Sequence, residues 1–319
     1  MPDALDISAV SNTSNTSNTS STKAATMTAT PTNEIIQTDT VQTDTVQTGT
    51  VQTGTVASKE QETAHRVTFG RIIASEWFKF RTVRTNVIAI VGAAAAAVGF
   101  GALFSTLAGT DEGPGRLADN ALSLSLGGFQ LSQIIIAILG VALVASEYQT
   151  GLIRTWFGAA PDRLRILNAK AIVFGGLVFA ASLIAAVLAF FAGQAVLPAG
   201  FEALTLGSDG VMQALLGTAF YVACIGVIGV GLGFLLRSTA AGAGAVVTAL
   251  MIAPVMVRLL PASIGDPVGK FLPSNAGSAV QGIESNAELL SMGWGVVVLL
   301  GWLVAIVGAA AISLKHRDA

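Results

Sequence analysis

Hydrophobic positions along this chain fall into six long runs, with the polar residues gathered into the connections between them. The runs cover roughly residues 87–107, 129–145, 171–196, 211–236, 240–260 and 292–314. At 1.5 Å rise per residue, about 20 apolar residues cross a hydrocarbon core of about 30 Å, so each run predicts one membrane-spanning helix. The second run is the shortest and extends backward through Leu122, Leu124 and Leu126. None shows the alternation of a transmembrane barrel strand, and a helix satisfies its backbone polar groups within the segment. The pattern predicts an all-α membrane protein of six transmembrane helices.

Residues 1–65 are patterned differently. Ser-Asn-Thr recurs three times from Ser11, and Gln-Thr-Asp-Thr-Val or Gln-Thr-Gly-Thr-Val recurs four times between Gln37 and Val56. A five-residue period moves the apolar position to the opposite strand face at each copy, so no constant face forms. With almost no large hydrophobes, the segment cannot offset its ordering entropy. It reads as a disordered, low-complexity cytoplasmic tail, without the basic start and apolar core of a signal peptide. Residues 66–319 then form the membrane domain.

Composition strengthens the membrane reading. Apolar residues make up 52% of the chain and charged residues 11%, against roughly 25% charged in a soluble domain. Counting Lys and Arg in the connections sets the orientation, because cytoplasmic loops carry the excess. Fourteen fall on one side, including Arg66, Arg71, Lys79, Arg81, Arg84, Arg154, Arg163, Arg165, Lys170 and Arg237; three, Arg116, Arg258 and Lys270, fall on the other. The richer side is expected to be the cytoplasm, with both termini there and the chain in the plasma membrane. Nucleic-acid binding has no support, because the basic residues flank apolar spans and form no separate soluble face.

Catalytic chemistry is not encoded in any recognisable form. No phosphate-binding loop is present, since Gly269-Lys270 is followed by Phe271. The stretch from Leu124 to Gln130 looks like a nucleotide-binding signature by eye, but it carries an extra Leu126 and falls on the outer side. Gly229-Val230-Gly231-Leu232-Gly233 lies inside a predicted span, where glycines four apart serve close helix packing. The lone Cys224 cannot form an internal disulfide, and His65 and His316 flank the membrane region at opposite ends. No ionisable residue falls in the middle of a span; Glu147 and Arg258 lie at the ends of theirs, where long side chains reach the interface. That lowers the case for an ion-coupled carrier and favours a hydrophobic or amphipathic substrate moved by energy supplied elsewhere. A non-transporting immunity or scaffold protein is the remaining alternative. The chain is not expected to be an enzyme or to bind a metal or cofactor.

Two cytoplasmic segments stand out. In residues 69–86, Ile72, Ile73, Trp77, Phe78 and Phe80 alternate with Arg71, Lys79, Arg81 and Arg84. This predicts an amphipathic helix lying in the membrane interface, built around Glu76, Trp77, Phe78, Lys79 and Arg81. In the loop 146–170, Leu152, Ile153, Trp156 and Phe157 make a short apolar stripe beside Arg154 and Thr155, ended by Gly158 and Pro161. Such a turn suits docking into a partner's groove, and equally an interfacial helix that touches only lipid.

The run Glu147-Tyr148-Gln149-Thr150-Gly151-Leu152-Ile153-Arg154, followed by Pro161, Arg163 and Lys170, resembles the type 2 ABC transporter permeases of high-GC Gram-positive bacteria. Ser75-Glu76-Trp77-Phe78-Lys79-Phe80-Arg81 is similar to their amphipathic connecting helix, and Phe271-Leu272-Pro273-Ser274-Asn275-Ala276-Gly277 to their outer segment. The resemblance covers residues 66–319; the repetitive tail departs from it. It implies a coupling helix made by Glu147, Tyr148, Gln149, Thr150, Gly151, Leu152, Arg154, Thr155 and Trp156, which contacts a separate ABC ATP-binding subunit that carries ATP and Mg. It also implies pairing with a second permease subunit, and short outer helices around Pro273, Ser274, Asn275 and Gly277 that cap the substrate path. The function expected is that of a transmembrane permease subunit of an exporter.

Overall fold

The computed structural model of the protein describes residues 68–107, 121–151, 163–198, 204–282 and 290–316. Among these every regular element is helical, and six helical segments are long and apolar enough to cross a bilayer. The chain is a multi-pass membrane protein. The repetitive tail of residues 1–65 lies outside the described residues, and so does the loop 152–162.

A first helix, α1 (Phe69–Thr82), precedes the spans and is separated by the extended Val83 from α2 (Arg84–Thr106), the first span. The second span begins as a short helix, α3 (Ala121–Leu126), turns at Gly127 and Gly128, and continues as α4 (Phe129–Gln149). The backward extension through Leu122, Leu124 and Leu126 therefore exists as a separate helix. The third and fourth spans are α5 (Arg163–Ala195) and α6 (Val211–Leu236).

The fifth span is interrupted. It comprises α7 (Thr239–Val247), a widened π turn at Thr248–Ile252, and α8 (Ala253–Arg258). The cause is Pro254, which has no N–H to offer Leu250 four residues back and crowds that carbonyl with its ring. Ala253 instead donates to the Thr248 carbonyl, five residues back. Two short helices follow, α9 (Ala262–Lys270) and α10 (Pro273–Gln281), before the last span, α11 (Met292–His316).

The fourth span is the hub: α6 packs against α4, α5, α10 and α11. Its apolar window is 72% buried, against 17% for the first, fifth and sixth spans, which turn most of their surface outward. Between helices in lipid no hydrophobic drive exists, so close packing through small residues has to supply the attraction. Gly229 and Gly233 do this on the α4 side. A Cβ on Gly229 would overlap the Ala137 carbonyl, and one on Gly233 would lie 2.8 Å from the Val141 carbonyl. The helix-packing role expected of these glycines is what the structure shows.

Around the short helices, Pro273 opens α10 at a position where its missing N–H costs nothing. Asn275 Nδ2 donates to the Gly269 carbonyl at 2.8 Å, tying α10 back to α9. Ser274 is also on α10, and Gly277 lies directly beneath the Tyr221 ring of α6. The four residues expected in this segment thus sit on one short helix packed against α6 and α11.

Candidate functional site: a buried ion cluster at the base of a loop

Along α1 the buried residues are Ile72, Glu76 and Phe80, four apart and so on one face. This face packs on α5, where Phe80 meets Phe174 with ring centroids 6.0 Å apart. Its central member is a carboxylate only 6% exposed, and a buried charge has to be paired. Lys170 of α5 donates to Glu76 Oε2 at 2.8 Å, and Lys79, one turn along α1, donates to Oε1 at 2.8 Å. Lys170 donates also to Glu147 Oε1 of α4 at 3.0 Å, and Lys79 reaches that same oxygen at 3.5 Å. Two carboxylates and two ammonium groups from three helices therefore close into a ring of no net charge. Burial alone pushes the Glu76 carboxyl up, but the ammonium groups of Lys170 and then Lys79 outweigh it. Glu76 consequently ionises below its ordinary value of 4.5.

The ring sits where the loop 152–162 leaves and rejoins the helices. Glu147 lies in the last turn of α4 and Lys170 in the second turn of α5, so their ion pair fastens the two ends of that loop to one another. Glu76 and Lys79 then fasten both to α1. The chain leaves α4 through Gly151, whose φ of +73° is the left-handed conformation that favours glycine. Thr150 closes the helix end, its hydroxyl donating to the Ser146 carbonyl at 2.9 Å.

A second contact holds the same end of α4 to α6. The Tyr148 ring stands edge-on to Phe234, centroids 6.4 Å apart, and the Arg237 guanidinium lies 5.0 Å from the Tyr148 ring centre. Arg237 caps α6 in a left-handed conformation, at φ 53°.

No protein-family model and no curated protein matches the chain. The geometry of the cluster is thus what bears on function.

Of the residues expected to meet a partner, Glu147 and Tyr148 are turned toward the protein's own helices, while Gln149, Thr150 and Gly151 are exposed. Leu152, Arg154, Thr155 and Trp156 lie outside the described residues. On α1, Trp77, Phe78 and Arg81 are exposed, whereas Glu76 and Lys79 join the cluster. Sequence reasoning placed Glu76 and Lys79 in one segment and Glu147 and Lys170 in another, and did not bring them together. One signal was present: a glutamate midway between Ile72 and Phe80 on the apolar stripe of a helix is either exposed by a change of face or paired.

Chemically, both carboxylates of the cluster are engaged with lysine, and both lysines with carboxylate. What it can do is hold the ends of three helices in fixed register.

Proposed function

We propose that this chain is the permease subunit of an ATP-driven exporter, moving a hydrophobic or amphipathic substrate with ATP hydrolysed by a separate subunit. The observation that carries the reading is the braced loop. A connection that merely joins two spans needs no buried charges at its base, and such pairs add little net stability after desolvation. Their value is geometric. With Glu147 and Lys170 bonded to each other and to α1, a push on the loop 152–162 displaces α4, α5 and α1 together. The α4 end is held in turn to α6, which also packs against α10 and α11.

In this reading the exposed Gln149, Thr150 and Gly151 lead into the segment that docks on the ATP-binding subunit, and the basic side of the membrane is the cytoplasm. In the same reading α1 lies in the interface of the plasma membrane, which the exposure of Trp77 and Phe78 supports. The helices α9 and α10 cap the substrate path on the outer side, and a second permease subunit completes it. Affinity purification of the full chain from native membranes tests this. A soluble subunit with a phosphate loop should co-purify, and Trp156→Ala should release it while leaving the chain folded. Absence of any nucleotide-binding partner from the wild-type preparation would refute the proposal.

The same cluster favours a second reading, a proton-coupled carrier, because it is a buried titratable group of the kind such carriers use. Its place at the ends of α4 and α5, away from mid-span, argues for the brace. Transport abolished by a protonophore while ATP remains high would reverse that preference.

A further inference from the structure

Beside the ion cluster the helices leave a cavity of about 510 Å³. One wall is apolar and includes Phe80, Leu139, Leu143 and Phe174. Val83 and Thr85, which are both exposed, also line the cavity. Its polar end holds two groups with hydrogen-bonding capacity left open among the described residues. Glu147 takes both lysines on Oε1, and among the described residues no donor reaches its Oε2. Asn86, 9% exposed, lines the same cavity, and its side-chain amide makes no hydrogen bond among the described residues. Neither Glu147 Oε2 nor the Asn86 amide is sealed from solvent, so both stay open to a partner that enters the cavity.

We propose that this cavity binds a phospholipid with a primary-ammonium head group. The ammonium donates to Glu147 Oε2 and to the Asn86 side-chain carbonyl, and the start of an acyl chain lies against the apolar wall. Three features select this occupant. Two acceptors lining one cavity are met by N–H donors, which a quaternary ammonium does not have. The cluster has no net charge, so a purely anionic head gains no overall attraction, whereas a zwitterion adds no net charge to a partly buried site. The phosphate of that zwitterion lies toward Lys79, which lines the cavity while bonded to Glu76 and Glu147 and keeps its side chain 31% exposed. An apolar wall continuous with a polar end is the arrangement of a site that grips one end of an amphiphile.

The inference does not depend on transport: a failed export assay leaves it standing, and a failed lipid assay leaves the permease reading standing. The test is native mass spectrometry of the full chain in detergent, with phosphatidylethanolamine, phosphatidylcholine or phosphatidylglycerol added at equal concentration. One phosphatidylethanolamine should be retained about tenfold more tightly than either of the others, the effect of a charge-assisted hydrogen bond. Asn86→Leu should weaken that retention about tenfold, and Leu143→Trp, which fills the apolar wall without touching the ion cluster, should weaken it too. Equal retention of the three lipids by the wild-type protein would overturn the proposal without recourse to any variant. Unchanged phosphatidylethanolamine retention in both variants would also overturn it.

Discussion

Lys170→Met is the sharpest perturbation of the ion cluster. Methionine keeps the length and apolar stem of lysine but removes the charge that two carboxylates share. Lys170 stands 2.8 Å from Glu76 and 3.0 Å from Glu147, with side chains 6%, 7% and 13% exposed respectively. At an effective dielectric of about 20, two unit charges 4 Å apart attract by about 4 kcal/mol. Desolvation of the ions offsets most of this in the intact cluster, but removing one partner leaves the cost uncompensated, typically about 3–5 kcal/mol. Lys79 remains 2.8 Å from Glu76 and 3.5 Å from Glu147, which points to the lower end, about 3 kcal/mol. Lys79→Met should be much milder, about 1 kcal/mol, because that side chain is 31% exposed and water replaces much of what it provides. In a thermal unfolding assay on detergent-solubilised protein, about 3 kcal/mol corresponds to a fall of roughly 6–12 °C for a domain of this size. The reasoning is refuted if Lys170→Met melts with the wild type, or if Lys79→Met is the more damaging of the two.

Because the Glu76 carboxyl is held below 4.5 in the folded protein, the unfolded chain takes up its proton first as pH falls. Its stabilisation is therefore complete above that value and lost as pH drops through the lower folded value; the melting-temperature gap between wild type and Glu76→Gln should be widest near neutral pH and narrow below about pH 4.5. Gly229→Leu forces a side chain into the Ala137 backbone and should cost about 1–3 kcal/mol or more, whereas Gly301→Leu, with nothing within 4 Å, should melt like the wild type. Gly151→Cys in a Cys224→Ala background should react with a membrane-impermeant maleimide only from the cytoplasmic side; labelling from outside would reverse the orientation drawn from the Lys and Arg count.

The spans were legible because burial in lipid imposes a length and a composition that survive in any sequence. All six runs lie on helices, and four of them match within a few residues at each end; the second and third spans begin well before the runs that signalled them. The packing face Gly229-x-x-x-Gly233 was legible for a related reason: in lipid, small residues at helical spacing are the means by which backbones approach. The broken fifth span was not foreseen, although Pro254 stands in its middle, because a proline alone does not say whether a helix bends, ends or widens. The ion cluster was hidden by its topology. Glu76 lies far along the chain from Glu147 and Lys170, and each of the three looks like an ordinary interfacial charge beside its own span. Only the packing of α1 across α5 turns Glu76 inward and makes the three one site. Asn86 gave no signal for the same reason: a polar residue in the first turn of a span reads as a solvated end.

The widened turn at Thr248–Ile252 acts as a one-residue insertion in an otherwise continuous rod. Each residue of an α-helix advances the side-chain direction by about 100°, so α8 displays a different azimuth from the one an unbroken α7 would have given it. Passing the surplus residue up or down the rod would spin one half against the other without unravelling either. In a span that faces outward over most of its length, such a swivel would meet little resistance from neighbouring helices.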